Sequence, residues 1–109
     1  MAAHRQGVRF VLGTDSSGQL MPFGLHWQEL SAMKTHIGMS DEDVLRSATS
    51  YAAEAIGWAE HLGRIEPGYL ADFVLLRSKP WKDVTKNHNA YIVAVVSHGR
   101  VVHGTLPSS

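Results

Sequence analysis

A short run of mostly apolar residues comes early in the chain and ends in a polar loop. From Val8 to Leu12 the sequence VRFVL is rich in β-branched and aromatic residues. This composition predicts a strand that is covered on both faces in a parallel sheet. The pattern breaks at GTDSSG, residues 13–18, and Pro22-Phe23-Gly24 closes the connection. A strand-to-helix loop of this length is longer than usual, and long loops often carry functional residues.

Two helical patterns follow the loop. Apolar residues spaced by three and four predict a helix from about Leu25 to Ile37 that ends at Gly38, with a buried stripe of Trp27, Leu30, Met33 and Ile37. Ser40, with Asp43 three positions on, resembles a capping box and starts a second helix that Gly57 ends. The expected buried stripe of this second helix consists of Leu45, Ala48, Ala52 and Ile56.

The periodicity changes to that of short strands after Gly63. We expect four of them, over Arg64–Glu66, Asp72–Arg77, Tyr91–Ser97 and Arg100–His103. Glu66-Pro67-Gly68 predicts a tight turn, and His98-Gly99 predicts a two-residue hairpin loop that pairs the last two strands antiparallel. Residues 78–89 are predicted to form a surface loop, and residues 105–109 a tail. The expected fold is therefore mixed α/β (α+β), in the order strand, helix, helix, β-hairpin.

Length and composition restrict the class of protein. A chain of 109 residues has room for one domain with a modest core. Its formal net charge is zero without a run of like charges, so nothing predicts nucleic acid or an anionic membrane as a partner. Cysteine is absent, which excludes disulfides and thiolate chemistry, and no stretch approaches the ~20 apolar residues of a membrane span. We expect a cytoplasmic protein.

Asp15 is the candidate catalytic residue of the polar loop. A carboxylate just beyond the end of a parallel strand lies where α/β sheets and barrels place catalytic groups, because strand ends present their side chains into a shared crevice. An aspartate among glycines and serines also forms Asx turns, which would give it a purely local role. The six-residue motif leaves both alternatives open.

The chain contains seven histidines, and their spacing does not predict a metal site by itself. No two of them are spaced as a pair of ligands on one predicted helix or strand, whereas a catalytic zinc site typically takes three protein ligands and a water. His26, near the start of a helix that follows the Asp15 loop, is the one whose position brings it towards Asp15. It is a candidate for substrate binding, with a solvated or locally hydrogen-bonded role as the alternative. The histidines are His4, His26, His36, His61, His88, His98 and His103.

Four segments, taken in order, resemble the C-terminal part of the metal-dependent amidohydrolase superfamily, particularly its imidazolonepropionase-like and Xaa-Pro dipeptidase-like members. These segments are VRFVLGTDSSG, PFGLHWQELSAMKTHIGMSDEDVLRSATSYAAEAIG, HLGRIEPGYLADFVLLRSKPWKDV and YIVAVVSHGRVVHG. The match extends over nearly the whole chain. Its most specific parts are GTDS, the helix SDEDVLRSATSYAAEAIG and GRIEPGYLADFVLL.

The resemblance implies a division of the chain and a role for Asp15. Residues 1–62 would provide the last β/α unit of a (β/α)₈ barrel, residues 63–104 strands of a small β-sandwich, and residues 105–109 the tail of a single module. Asp15 would either ligate a divalent metal ion, namely zinc, or accept a proton from the attacking water. Phe23 stands where many relatives carry histidine, which puts a substrate contact from that position in doubt. The family's other metal ligands have no counterparts here, so we expect no metal to be bound by this chain alone.

Three functional hypotheses follow from the resemblance. The preferred one is an amidohydrolase-derived module without independent hydrolase activity, which forms a homo-oligomer or complements an N-terminal chain. The alternative is a metal-dependent hydrolase of amide or cyclic amide C–N bonds, with a site assembled across chains around Asp15. A third is a module that binds a small ligand near the Asp15 loop.

Overall fold

The computed structural model describes residues 5–12 and 27–107. A helical half comes first, with α1 at Trp27–Ala32, a π-helical turn at Met33–Ile37, α2 at Asp41–Ala48 and α3 at Ser50–Ala55. A sheet follows, with β1 at Phe73–Leu76, a 3₁₀ turn at His88–Tyr91, β2 at Ile92–Ser97 and β3 at Arg100–Gly104. The fold is therefore mixed α/β, as the sequence predicts.

The first predicted helix is present and ends where expected. α1 continues into the π-helical turn, and Gly38 ends it in the left-handed conformation, with φ of 87°. The Gly38 N–H donates to the carbonyl of Lys34 at 3.2 Å. Glycine suits this position because it has no Cβ to clash at positive φ. Residues 25 and 26 of the predicted helix lie outside the described residues.

The second predicted helix forms as two shorter ones. Ser40 caps α2 as predicted, since its Oγ accepts a hydrogen bond from the Asp43 N–H at 3.1 Å. The helix is interrupted at Thr49, whose φ and ψ are −128° and −95°. The Thr49 hydroxyl donates to the Leu45 carbonyl at 2.8 Å, a local bond that competes with regular helix geometry. A single helix from Ser40 to Gly57 was therefore a wrong prediction.

The buried face of these helices also differs from the predicted stripe. Val44, Ser47 and Ala53 are the buried residues of α2 and α3. Ile56, which was expected in the stripe, is 67% exposed. The interruption at Thr49 resets the helical phase, so a stripe counted through it no longer follows one face. Ile56 also caps the end of α3, beyond its last helical residue.

The core joins the helices to the long loop between β1 and β2. Met33, Met39, Val44 and Val84 form the buried cluster, with Phe10, Leu12, Leu30, Ile37 and Leu45 packed against it. Val84 belongs to the loop that was predicted to lie at the surface, yet it is only 1% exposed. That prediction is wrong at Val84, because an apolar side chain in a polar loop gains free energy by entering the core.

The sheet confirms the predicted hairpin. Its order is β1-β2-β3, and both pairs of strands are antiparallel. His98 and Gly99 both have positive φ, 51° and 76°, as expected of a two-residue loop that matches the strand twist. The turn after Glu66 also forms, with the Tyr69 N–H donating to the Glu66 carbonyl at 3.1 Å. The strand predicted at Arg64–Glu66 does not form.

The strand predicted from Val8 to Leu12 is not formed either. Residues 8–12 have no regular secondary structure, and the Leu12 N–H donates to the Ser47 carbonyl at 3.1 Å. A parallel strand needs a neighbouring parallel strand to complete its hydrogen bonds. The strands in the described part of the chain belong to an antiparallel sheet instead.

None of the helices in the described residues is long and apolar enough to span a membrane. Residues 105–107 of the predicted tail are exposed and have no regular secondary structure.

Candidate functional site

The predicted catalytic residue, Asp15, and the predicted substrate contact, His26, lie outside the described residues. The structure does define the segment that leads into their loop. The Leu12 N–H is bonded to the carbonyl of Ser47, which is a fully buried residue of α2. The loop therefore starts from a backbone position that is fixed to the helical half.

Arg9 provides a second attachment for this segment. Its guanidinium lies 4.5 Å from the centre of the Tyr51 ring and 2.5 Å from Oε2 of Glu54. Both partners belong to α3. A guanidinium that stacks on an aromatic ring and pairs with a carboxylate holds its orientation better than a simple surface ion pair. Arg9 and Leu12 together orient the segment before Asp15 along the helices.

The described residues do not fit a metal site. Within residues 5–12 and 27–107, no three His, Cys, Asp or Glu side chains lie close enough together to hold a metal ion. A catalytic zinc site takes three protein ligands and leaves a fourth position for water. The prediction that Asp15 is a ligand is not tested by these residues, and no chemical step through a metal can be derived from them.

A polar cluster that sequence reasoning missed lies in the loop between β1 and β2. Ser78 Oγ lies 2.6 Å from Nδ1 of His88, and Nε2 of His88 lies 2.5 Å from the carbonyl oxygen of Asp83. A carbonyl oxygen can only accept, so Nε2 carries a proton and donates. In the neutral imidazole, Nδ1 then accepts a hydrogen bond from the Ser78 hydroxyl. Both ring nitrogens therefore have hydrogen-bond partners, and His88 connects its own part of the loop to Ser78, ten positions earlier.

Asp83 and Thr85 complete this cluster. Both the N–H and the hydroxyl of Thr85 donate to Oδ1 of Asp83, at 2.9 and 2.5 Å. These two bonds lower the pKa of Asp83 below its ordinary value, and the bond from the Thr85 hydroxyl has the larger effect. They do so because they stabilise the charged carboxylate. The spacing Asp-x-Thr is typical of an Asx turn and could have revealed this part of the cluster. The contacts of His88 span five and ten positions and left no local signal.

A second carboxylate, Asp41, joins the loop to the helices. Its Oδ1 accepts from the Val84 N–H at 2.9 Å, and both its oxygens accept from Lys34 Nζ, at 3.0 and 3.1 Å. The Val84 bond, followed by the Lys34 bond, lowers the pKa of Asp41. A carboxylate that accepts three hydrogen bonds from two donors, Val84 and Lys34, is a structural anchor. It has little capacity left to accept a proton from a substrate.

Comparison with known proteins decides the family. The profile of the amidohydrolase family matches residues 1–102, which include the GTDSSG loop. The chain belongs to the amidohydrolase family. Its resemblance to imidazolonepropionases and Xaa-Pro dipeptidases, predicted from the four sequence segments, is confirmed.

Individual amidohydrolase relatives agree with this assignment. The chain is 35% identical over 102 residues to the imidazolonepropionase of Symbiobacterium thermophilum, covering 88% of this chain and 23% of that one. A Xaa-Pro dipeptidase structure with methionine in its active site superposes with a TM-score of 0.82 at 28% identity, over 94% of this chain. An amidohydrolase structure from Thermotoga maritima gives a TM-score of 0.70 at 25% identity, also over 94%.

The chain spans only part of the amidohydrolases that it matches. It covers 24% of the Xaa-Pro dipeptidase chain and 24% of the Thermotoga maritima chain. The chain therefore corresponds to about a quarter of these relatives. The activities that their names describe belong to molecules about four times as long.

Proposed function

We propose that this chain is an amidohydrolase module that has no hydrolase activity of its own and that acts with a partner chain. The family match over residues 1–102 supports the amidohydrolase part of the proposal. The exposed valines of the segment before Asp15, Val8 and Val11, support the dependence on a partner. The partner is either a second copy of this chain or a complementing chain that provides the rest of the barrel.

The surface of the segment before Asp15 is the structural observation that carries this proposal. Arg9 and Leu12 attach the segment to the helices, whereas Val8 and Val11 are 51% and 46% exposed. Exposed β-branched residues in such a segment favour pairing with another chain. A partner that adds strands beside residues 8–12 would cover both valines and turn the segment into the strand that the sequence predicts.

The chemistry of the proposed complex would be hydrolysis of an amide or cyclic amide C–N bond. Asp15 is the residue that this chain would contribute, as a ligand of a divalent metal, zinc, or as the acceptor of a proton from water. The remaining metal ligands would come from the partner, because a catalytic zinc site needs three. We also propose that the protein acts in the cytoplasm.

The first experiment measures the chain by itself. Purified protein is assayed with imidazolonepropionate and with Xaa-Pro dipeptides, the substrates that the relatives' names suggest, and its zinc content is measured. We expect no turnover and clearly less than one zinc ion per chain. Turnover that disappears in Asp15→Asn, together with stoichiometric zinc, would contradict it.

The second experiment supplies a partner. The Symbiobacterium thermophilum imidazolonepropionase, shortened by the part that this chain matches, is coexpressed with the chain, and turnover of imidazolonepropionate is measured. Turnover should require both pieces and should be lost in Asp15→Asn. Glu60→Gln is the matched control, since Glu60 is an exposed carboxylate in the turn after α3. Turnover that persists in Asp15→Asn would remove Asp15 from the proposed role.

A further inference from the structure

A cavity lined by basic side chains lies where the loop between β1 and β2 meets the 3₁₀ turn. Its volume is about 390 Å³. Four basic residues and two hydroxyl-bearing residues line it, namely Arg77, Lys79, Lys82, Lys86, Ser78 and Tyr91. Asp83 and His88 complete the wall. The family match does not explain why so many positive charges surround one cavity.

Four basic side chains and one acidic side chain, Asp83, line the cavity, so positive charges are in excess. Elsewhere in the described residues, Arg9, Lys34, Arg46 and Arg64 each lie within 4.0 Å of a carboxylate oxygen. None of the four residues around the cavity forms such an ion pair with a described acidic residue. Asp83, the acidic residue in the wall, contributes one negative charge, which interacts with Lys86 and is hydrogen-bonded by Thr85. The cavity therefore has a net positive charge.

This charge is a local feature rather than a property of the whole chain, whose formal net charge is zero. Like charges around one cavity repel each other and destabilise the folded state. Positions that cost stability in this way are often functional. The clustering therefore indicates an anionic ligand.

The walls of the cavity are held in place by hydrogen bonds. His88 bonds both Ser78 and the carbonyl of Asp83, and the Arg77 N–H donates to the Tyr91 carbonyl at 3.0 Å. Val84, next to Asp83, is buried in the core. A site with fixed walls loses little entropy when a ligand binds, which favours affinity.

We infer that this cavity binds the phosphate group of a small phosphorylated molecule. Lysine and arginine both form strong charge-assisted hydrogen bonds with phosphate oxygens. A volume of about 390 Å³ lies within the range of small-molecule sites, roughly 300–1,000 Å³. This leaves room for an organic group beside the phosphate, and the half-exposed ring of Tyr91 provides an apolar surface for it.

The shape of the charged surface favours a small molecule over a nucleic acid. A nucleic acid is bound along a groove or stripe of basic residues that follows its backbone. Here the four charges converge on one cavity, and Arg5 and Arg100, which form no ion pair with a described residue, do not line it. An oligonucleotide is therefore the competing ligand that the experiment must include.

The test is calorimetric titration of the full chain at low salt with inorganic phosphate, pyrophosphate and glucose 6-phosphate. Lys82→Gln/Lys86→Gln should weaken glucose 6-phosphate binding about tenfold, as expected when two charge-assisted contacts are lost. Arg5→Gln/Arg100→Gln is the matched control, because it removes the same net charge from exposed positions elsewhere. Ser78→Ala keeps the net charge and should also weaken binding, which a simple charge effect would not produce. Circular dichroism checks that each variant is folded.

Several results would overturn the inference. It fails if none of the three phosphates binds at millimolar concentration, or if acetate binds as tightly as phosphate. If Arg5→Gln/Arg100→Gln weakens phosphate binding as much as Lys82→Gln/Lys86→Gln does, the binding depends on net charge and not on this cavity. The inference also fails if an oligonucleotide without a terminal phosphate binds more tightly than glucose 6-phosphate. The ligand would then be a nucleic acid.

Discussion

The backbone N–H of Val84 donates a hydrogen bond of 2.9 Å to Oδ1 of Asp41, which lies 43 positions earlier in the chain. This bond connects the first turn of α2 to the loop between β1 and β2. It also brings Val84 into the core beside Met33, Met39 and Val44. The wall of the basic cavity is thus attached to the helical half through one carboxylate.

Asp41→Asn should destabilise the protein and make it less sensitive to acid. The Val84 N–H, followed by Lys34, lowers the pKa of Asp41 in the folded state. A carboxyl whose folded pKa lies below its unfolded value, about 3.9, stabilises the fold above that value. This stability is lost as the pH falls through the folded pKa. We expect a loss of about 1–2 kcal/mol at pH 7, since the amide replaces a charged acceptor.

Urea unfolding at neutral pH and near pH 3 measures both effects of Asp41→Asn. The free energy of unfolding of the wild type should fall more between the two pH values than that of the variant. Glu42→Gln is the control, because it removes a carboxylate from the same helical turn. The Glu42 side chain is more exposed than that of Asp41. Parallel pH profiles for wild type and Asp41→Asn would show that Asp41 contributes no pH-dependent stability.

Gly104→Ala should be far more disruptive than Gly99→Ala. Both glycines have positive φ, 71° and 76°, where an L-residue costs roughly 1–2 kcal/mol. A Cβ at Gly104 would also overlap the carbonyl oxygen of Val93 and crowd Cα of Ala94, whereas a Cβ at Gly99 meets no atom within 4 Å. The difference between the two variants therefore isolates the steric overlap.

Thermal unfolding of the two glycine variants provides the measurement. Gly99→Ala should lower the midpoint by a few degrees, as expected for about 1 kcal/mol in a domain of this size. Gly104→Ala should lower it by clearly more or prevent folding. Equal midpoints would indicate that β3 moves away from Val93 at little cost.

Ser40→Ala should reduce stability by about 1 kcal/mol through the loss of an N-cap. Ser40 Oγ accepts the hydrogen bond of the Asp43 N–H at the start of α2. Ser40→Asp keeps an acceptor at the same position and should preserve stability. Urea unfolding of the three proteins checks this. A loss in Ser40→Asp as large as that in Ser40→Ala would mean that the hydroxyl has another role.

The features of the fold that were predicted from the sequence are encoded locally. Gly38, the Ser40 cap and the His98-Gly99 hairpin each depend on residues within a few positions of one another. The burial of Val84 and the interruption at Thr49 depend on bonds that compete with the local pattern. Hydrophobic periodicity cannot report a hydrogen bond to Asp41 from 43 positions away. The error in the surface loop follows from this, whereas the error in the buried stripe follows from the interruption at Thr49.

The two candidate sites also differ in how far the sequence predicts them. Asp15 was predicted from its position after an apolar run and from resemblance to the family, and the family match over residues 1–102 includes it. The basic residues of the cavity are visible in the sequence but alternate with other residues between positions 77 and 86. Their convergence depends on the His88 contacts with Ser78 and Asp83. Only the folded loop shows that they line one cavity.

Val8→Lys/Val11→Lys should reduce association of the chain with its partner. The two valines are 51% and 46% exposed beside the Asp15 loop, and lysine on an exposed strand opposes pairing with another chain through its charge and its desolvation cost. If the partner is a second copy, light scattering should show an oligomer for the wild type and a monomer for the variant. Val102→Lys is the control, since Val102 is 62% exposed on β3.

The two possible partners give different results in this experiment. A monomeric wild type would exclude the homo-oligomer and leave the complementing chain, whose binding Val8→Lys/Val11→Lys should then weaken in a pull-down with the shortened imidazolonepropionase. An oligomer that dissociates in Val102→Lys but not in the valine pair would place the interface on β3. The segment before Asp15 would then lose its role in assembly, because its exposed valines would remain uncovered in the oligomer.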